Sequence, residues 1–244
     1  MKEDRQIISS DAVKYLAVFL MTLNHITHID VIPEGSVLYE FMTDIGYFTA
    51  PVMCWFLVTG YKRTSSVAKY CLRLIIFGAV AQIPVHYCFG NISPNILLGF
   101  AWSILIMTVM DSKWHKAVRI IVTVLMLIIS FAFDWGLIAN LIVVLLKLSK
   151  TDKQRFLSYL AGLSIFAVLN VLMYLTGAHN DHCYPFPEAL LHGVLTAVPG
   201  LIAAVTVIFL MKPGKKHKGF GKWFFYVYYP LHIYVIWLIK IFIA

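Results

Sequence analysis

The chain is poor in charge, and it lacks the motifs by which many soluble active sites are recognised. Only 13% of its 244 residues are charged and 60% are hydrophobic, which excludes an ordinary soluble domain. It contains no glycine-rich phosphate loop, no metal-binding motif and no sequence repeat. Its four cysteines lack C-x-x-C spacing and fit packing roles, but Cys88 and Cys183 are both expected near one face, which leaves a disulfide between them open.

Long apolar runs take the place of these features. Runs of about 17 to 22 residues, long enough to cross a bilayer, recur from one end of the chain to the other. The sixth has about 14 residues and also suits a re-entrant segment. The predicted fold is all-α, a polytopic integral membrane helical bundle of about nine transmembrane helices (eight to ten) that forms a single domain over residues 1–244. The candidate spans are 13–29, 44–61, 69–87, 95–110, 117–133, 135–148, 156–176, 189–211 and 222–243.

The basic residues occupy every second loop. Lys and Arg precede the first span and fill alternate loops, whereas the intervening loops contain Asp and Glu but no Lys or Arg. Because Lys and Arg collect on the cytoplasmic side, the amino terminus is predicted inside and the carboxyl terminus outside. The net charge of +8 is therefore attributed to topology and anionic lipid, not to nucleic acid. The first span lacks a signal-peptide cleavage pattern and is expected to remain as an anchor.

Polar side chains inside the spans are the candidates for a functional site, since a charge at the bilayer centre costs about 2.5 to 3.5 kcal/mol. A structural explanation competes at each position, because Asn, His, Ser and Thr also join helices by hydrogen bonds. In the first span, Lys14 and His25 are eleven residues apart, so they share one face near opposite membrane sides. Asn24 adjoins His25, whose ring nitrogens suit proton transfer near neutral pH.

Asp44 is predicted to open the second span from the outer side, at the depth of His25. A carboxylate there fits one of two roles: it orients the imidazole of His25, or it caps the amino terminus of its own helix.

Further polar residues mark later spans. Arg73, one turn inside the cytoplasmic boundary, either reaches lipid phosphates or receives a phosphorylated cofactor. Asn95 begins the fourth span at the outer level, where the "FDWG" turn also delivers Asp134. His232 lies deep in the last span beside Tyr229; an aromatic belt explains the tyrosine but not so deep a histidine.

Several blocks, taken in order, resemble the TraX family of membrane pilin N-acetyltransferases. They are "KYLAVFLMTLNHI", "IGYFTAPVMCWFLVTGY", "RLIIFGAVAQIPV", "PNILLGFA" and "FFYVYYPLHIYVIWLI", and the resemblance covers nearly the whole chain. Asn24 departs from the family pattern, which often has an aspartate before the histidine. Either Asn24 suffices to orient His25, or Asp44 takes that role, or the activity differs.

The resemblance implies a bacterial inner-membrane enzyme that transfers an acetyl group from acetyl-CoA to a primary amine, which is the pilin amino terminus in named members. Family positions match Lys14, His25, Arg73, Asn95 and His232. The expected partners are acetyl-CoA, an amine-bearing acceptor and membrane lipids, and a homo-oligomer is left open. The predicted catalytic residues are His25 as base or transient acyl carrier, Asp44, Asn24 and His232; the predicted donor-binding residues are Lys14, Arg73, Asn95 and Tyr229, with Lys62 and Arg63 as further candidates for the phosphates.

Two other classes of function fit the same residues. A transporter or proton-relay channel for a small polar solute would use buried histidines and aspartates without chemistry. An assembly subunit would use them only for helix packing. Stabilisation by CoA separates the enzyme from both, because a ligand that binds the folded state raises its stability.

Overall fold

The computed structural model describes residues 7–29, 31–90, 92–178, 182–212 and 220–243, with residues 220–222 described by their backbone only. Within these ranges the chain is helical and contains no strand; a single β-bridge joins Ile8 and Met211. The predicted all-α fold is confirmed. The α-helices are α1 (Ser10–Ile26), α2 (Val37–Gly46), α3 (Thr49–Arg63), α4 (Val67–Phe89), α5 (Ile96–Met110), α6 (Lys116–Ile129), α7 (Gly136–Leu148), α8 (Asp152–Thr176), α9 (Phe186–Leu195), α10 (Val198–Val205) and α11 (Phe220–Ile243).

Every predicted span coincides with a helical segment in the described part of the chain. Short 3₁₀ turns extend α1 and α6, and a π-helical turn, Thr206–Leu210, extends α10. Helices α2 and α3 form one apolar segment, as do α9 and α10 with the π turn. Five segments are long and apolar enough to cross a membrane: Val37–Arg63, Val67–Phe89, Asp152–Thr176, Phe186–Leu210 and Trp223–Ile243. Two shorter apolar helices are α5 and α7. The protein is a helical membrane bundle.

The second span begins earlier than predicted. Helix α2 starts at Val37, where the Ser36 hydroxyl accepts the Tyr39 N–H at 3.2 Å. Asp44 consequently lies in the last turn of α2, and the alternative that it caps a helix amino terminus is wrong. The polar residues Glu40 and Thr43 lower the apolarity of this stretch, so hydropathy placed the start too late.

The proposed disulfide is also absent. All four cysteines lie within the described residues, and none of them forms a disulfide. Cys54, Cys71 and Cys88 are buried, whereas Cys183 is exposed. The packing role expected for buried cysteines therefore applies to three of the four.

The chain groups into two compact units, which are described separately, and the predicted single domain stays a prediction. Unit 1 comprises Met1–Met53 and Ser149–Gly214, and unit 2 comprises Cys54–Leu148 and Lys215–Ala244.

In unit 1, α1 packs closely on α2 and the start of α3. The Asn24 amide donates to the Thr43 carbonyl at 2.7 Å, and a side chain on Gly46 would collide with Asn24. Thr49 Oγ1 donates to the Ala17 carbonyl at 2.6 Å. The amino-terminal segment is fixed to the end of the π turn, since Lys212 N–H donates to the Ile8 carbonyl at 2.8 Å. Ile8, before the first span, and Lys212, after the eighth, thus lie on the same side, as the charge pattern predicts.

In unit 2, α4 and α11 run parallel. Arg73 contacts Tyr226, the Tyr234 hydroxyl donates to the Val80 carbonyl at 3.4 Å, and Lys240 Nζ donates to the Cys88 carbonyl at 3.3 Å. Parallel packing agrees with the predicted topology, in which the third and ninth spans cross in the same direction.

The ends of α3, α5 and α7, which lead into basic loops, meet at one end of unit 2. We call this the basic end. Asp111, just after α5, forms a 2.6 Å ion pair with Lys147 of α7 and accepts the Tyr61 hydroxyl of α3 at 2.9 Å. Burial alone would raise the pKa of Asp111, but the hydrogen bonds from Lys147 and Tyr61 and the positive charges of Lys147 and Arg119 lower it overall. The ends of α3, α5 and α7 therefore lie on the same side, as the charge pattern predicts.

Candidate functional site

The eight predicted site residues divide equally between the two units. Unit 1 contains Lys14, Asn24, His25 and Asp44, and unit 2 contains Arg73, Asn95, Tyr229 and His232.

The residues of unit 1 lie on α1 and α2. Lys14, in the second turn of α1, forms a 3.6 Å ion pair with Asp11, and its side chain is 16% exposed. His25 is half-buried in the last turn of α1. The Asn24 side-chain amide donates a hydrogen bond to the carbonyl of Thr43, one residue before Asp44. The contact between α1 and α2 therefore places Asn24 beside the turn of α2 that carries Asp44.

An aromatic cluster in unit 1 was not foreseen. Tyr174 of α8 is stacked on His192 of α9 at 5.1 Å between ring centroids, and Tyr184 meets both rings at 5.4 Å. The packing of α8 on α9 brings these rings together. The sequence shows the aromatic residues but not the contact between them.

Arg73 of unit 2 is enclosed by two tyrosines near the basic end. Its guanidinium lies 5.8 Å from the Tyr70 ring centroid and 5.7 Å from that of Tyr226, distances typical of cation–π contacts. Among the described residues, the buried Nε–H of Arg73 has no hydrogen-bond partner. A buried donor of this kind calls for a further acceptor, and a phosphate oxygen suits a guanidinium.

Asn95 organises the start of α5. Its amide donates to the Gly78 carbonyl at 2.7 Å and to Gln82 Oε1 at 2.9 Å, while its own Oδ1 accepts the Leu97 N–H at 3.1 Å. The side chain is almost fully buried, at 1% exposure. These contacts make Asn95 a helix cap that joins α5 to α4.

His232 is buried in the middle of α11 with a defined tautomer. Its Nδ1 lies 2.9 Å from the Tyr228 carbonyl, which can only accept, so Nδ1 carries the proton. The neutral ring then has its lone pair on Nε2, as a general base requires. The Tyr228 ring is stacked on the imidazole at 5.1 Å, and Tyr229 meets it edge-on at 5.7 Å.

Asp134 joins this group although it was not among the predicted site residues. Its backbone N–H donates to the Pro94 carbonyl at 2.9 Å, which places it beside Asn95. The residue is partly exposed; the burial of its carboxyl group raises its pKa to about 6, although a backbone hydrogen bond from Trp135 acts in the opposite direction.

These contacts define what we call the polar cluster of unit 2. Tyr226 lies against Arg73 and Tyr234 against Val80, so His232, between them on α11, lies near the level of Gly78, whose carbonyl accepts the Asn95 amide. The cluster combines a base, a carboxylate, a phenol and amides in one layer of the unit, about 9 Å along α11 from the Tyr226 level. Its members are Gln82, Asn95, Asp134, Tyr229 and His232.

The described residues contain no group of three or more His, Cys, Asp or Glu side chains able to hold a metal ion. The side chains of the polar cluster can transfer protons and form hydrogen bonds.

Comparisons with known proteins agree with the resemblance noted in the sequence. The chain is 26% identical, over 250 residues that cover 96% of it and 97% of the relative, to a probable fimbrial assembly protein FimC, serogroup H1, of Dichelobacter nodosus. No solved structure matches it. The family model described as TraX protein matches residues 9–240, and the chain therefore belongs to the TraX family.

Proposed function

We propose that this protein is a membrane-embedded N-acyltransferase that transfers an acetyl group from acetyl-CoA to a primary amine in the bacterial inner membrane. The observation that carries the proposal is His232, a buried imidazole whose Nδ1 is committed to the Tyr228 carbonyl. This arrangement supports a role for Nε2 as the base. Family membership and similarity to a fimbrial assembly protein favour a pilin-like peptide amino terminus as the acceptor.

The parallel packing of α4 and α11 suits a donor that enters from the basic end. Arg73 would bind a phosphate of CoA through its buried Nε–H, which has no hydrogen-bond partner among the described residues. The pantetheine arm would then extend along α11 towards His232, one to two turns away. Lys62 and Arg63, in the last turn of α3 at the same end, would add positive charge near the phosphates.

The reaction needs one proton transfer through the base. The amine nitrogen attacks the thioester carbonyl carbon while Nε2 of His232 accepts a proton from that nitrogen. Collapse of the tetrahedral intermediate breaks the carbon–sulfur bond, and the thiolate of CoA takes the proton back from the imidazolium. The products are the acetylated amine and free CoA thiol, and the Tyr229 phenol, in contact with His232, is a candidate donor to the oxyanion.

His25 of unit 1 is the second candidate for the base or for a transient acyl carrier. It would depend on Asp44 or Asn24 for orientation, and Lys14 on the same helix would bind donor phosphate. Substitution of each histidine separates the two candidates.

The first test uses purified protein in detergent, acetyl-CoA and a short peptide with a free amino terminus. Acetyl-CoA should raise the melting temperature, and mass spectrometry should detect an added acetyl group on the peptide. His232→Gln should lower the rate of transfer by roughly 10²- to 10⁴-fold, because a general base contributes that much, with unchanged stabilisation by CoA.

His25→Gln is the matched variant. A larger loss in His25→Gln than in His232→Gln would assign the base to unit 1. No stabilisation by CoA and no acetylated peptide with the wild-type protein would contradict the enzyme and favour a transporter or an assembly subunit.

A further inference from the structure

The connection between α5 and α6 contains two buried hydrogen-bond donors whose acceptor is not supplied by the described part of the chain. Helix α5 ends at Met110 and α6 begins at Lys116, so residues 111–115 form what we call the α5–α6 turn. The hydroxyl of Ser112, in this turn, and the Nε–H of Arg119, in α6, are buried and have no hydrogen-bond partner among the described residues. A buried donor without an acceptor is costly, so native proteins seldom leave two of them close together. The pair indicates that an acceptor from outside the chain completes this site.

Hydrogen bonds to the end of α5 position both residues. Arg119 Nη1 donates to the Met110 carbonyl at 3.0 Å, two residues before Ser112. The Ser112 N–H donates to the Val109 carbonyl at 3.1 Å and so continues the last turn of α5. The guanidinium therefore lies at the end of α5, next to the turn that contains Ser112. Each residue as a whole is only partly buried, so rotation of its side chain can present the donor to a ligand at the surface.

The charges around the turn favour an anionic ligand. Lys113 in the turn and Lys116 at the start of α6 are both exposed. The first turn of α6 contains no acidic residue, although the positive end of a helix dipole disfavours a cation such as Lys116. Asp111 is the acidic residue of the turn, and it already forms a 2.6 Å ion pair with Lys147. A bound anion would compensate the remaining positive charge at this helix end.

We propose that the α5–α6 turn and Arg119 bind an anionic phosphate group, carried by a phospholipid or free in solution. The guanidinium would donate to a phosphate oxygen through Nε–H, and the Ser112 hydroxyl would donate to a second oxygen. Trp114, 53% exposed in the same turn, suits the level of lipid head groups, and basic loops attract the anionic lipids of the cytoplasmic leaflet. This inference goes beyond the proposed function, and its test needs no acyl transfer.

A purely structural role would leave the two donors to water. Arg119 would then only join α6 to the end of α5 through the Met110 carbonyl, while a water molecule satisfies Nε–H and the hydroxyl. The two roles differ in what they require. Water binding has no dependence on an added anion, whereas phosphate binding makes the stability of the protein rise with phosphate concentration and depend on both donors.

The experiment measures the melting temperature of the purified full chain in a neutral detergent while a phosphate probe is added. The probes are dioctanoyl-phosphatidylglycerol and sodium phosphate. Their references are dioctanoyl-phosphatidylcholine, which has no net charge, and sodium chloride at the same ionic strength. A rise with phosphatidylglycerol alone assigns the site to a lipid head group, and a rise with sodium phosphate shows that free phosphate is sufficient. No rise with either probe above its reference would overturn the proposal.

Two variants connect the rise to this site. Arg119→Lys keeps the charge but removes Nε–H, so the half-saturating probe concentration should increase about 10- to 100-fold, the cost of losing a hydrogen bond to a charged group. Ser112→Ala should increase it about 10-fold without destabilising the ligand-free protein, because the lost hydroxyl has no partner among the described residues. This variant keeps the test decisive if Arg119→Lys does not fold. Lys150→Gln, which removes an exposed cation from another basic loop, is the matched control and should change the value less than about twofold. Equal values in the wild type and both variants would contradict the assignment.

Discussion

Asp134, just before α7, links the stability of the protein to pH. Burial of its carboxyl group raises its pKa from 3.8 to about 6. The folded state therefore holds the proton more tightly than the unfolded state. Stability from this group is fully present below about pH 4 and is lost as the pH rises through about 6.

This pKa shift predicts a pH-dependent benefit of Asp134→Asn. Between pH 4 and 7 the wild-type protein should lose about 2.5 kcal/mol that the variant retains, since each pKa unit is worth about 1.4 kcal/mol and part of the effect has already developed at pH 4. For a chain of this size, the loss corresponds to a fall in melting temperature of roughly 5 to 10 °C relative to the variant. Melting curves in detergent across this pH range measure it, with Glu188→Gln, which removes an exposed carboxylate at the start of α9, as the control. Parallel pH profiles for the wild type and Asp134→Asn would contradict the assignment.

Single residues also show which parts of the site the sequence could predict and which it could not. Arg73 and His232 stand out because a charge or an imidazole within an apolar helix needs an explanation, and the structure gives each a specific environment. The enclosure of Arg73 by Tyr70 and Tyr226 depends on α4 meeting α11, far along the chain. The proximity of Asp134 to Asn95 arises in the same way, so no local pattern could reveal it.

At the scale of helices, hydropathy predicted the number and place of the segments well, because lipid requires each crossing segment to be long and apolar. The boundary of α2 was missed where polar residues interrupt that pattern. The breaks inside the second and eighth segments were also not predicted. They divide α2 from α3 and α9 from α10 without adding a loop that hydropathy could detect.

The entry into α7 gives a prediction at this scale. Gly136→Ala should destabilise the protein by at least about 2 kcal/mol, because the added Cβ would overlap the Ser130 backbone, which cannot move like a flexible side chain. Gly99→Ala in α5 is the matched control, since its nearest new contacts, at 3.6 Å, are ordinary packing distances. Thermal unfolding of both variants measures the difference. Equal melting temperatures would show that the turn is free to rearrange.

At the scale of the whole molecule, the orientation in the membrane is a prediction of the charge pattern. In unit 2, α4 runs parallel to α11, and the end of α5 lies beside the end of α7, as this orientation requires. Absolute sidedness can be read from cysteine chemistry, because Cys183 is exposed and the other three cysteines are buried.

Labelling of intact cells tests this sidedness. A membrane-impermeant maleimide should modify wild-type protein at Cys183, which lies in a loop predicted outside, and Cys183→Ser should abolish labelling. In that background, Lys113→Cys, in the exposed loop between α5 and α6, should react only after the membrane is permeabilised. The reverse pattern would invert the topology and would place the basic end of unit 2 outside.

The parallel contact of α4 with α11 has a consequence for biogenesis. Val80 and Tyr234 are 154 positions apart, and the tyrosines that surround Arg73 and His232 come partly from the last helix. A ribosome must deliver nearly all of the chain before these partners can meet. Until α11 inserts, the Arg73 guanidinium and the Val80 and Cys88 carbonyls of α4 remain without their final neighbours, so unit 2 cannot complete its packing while its earlier helices are already in the bilayer.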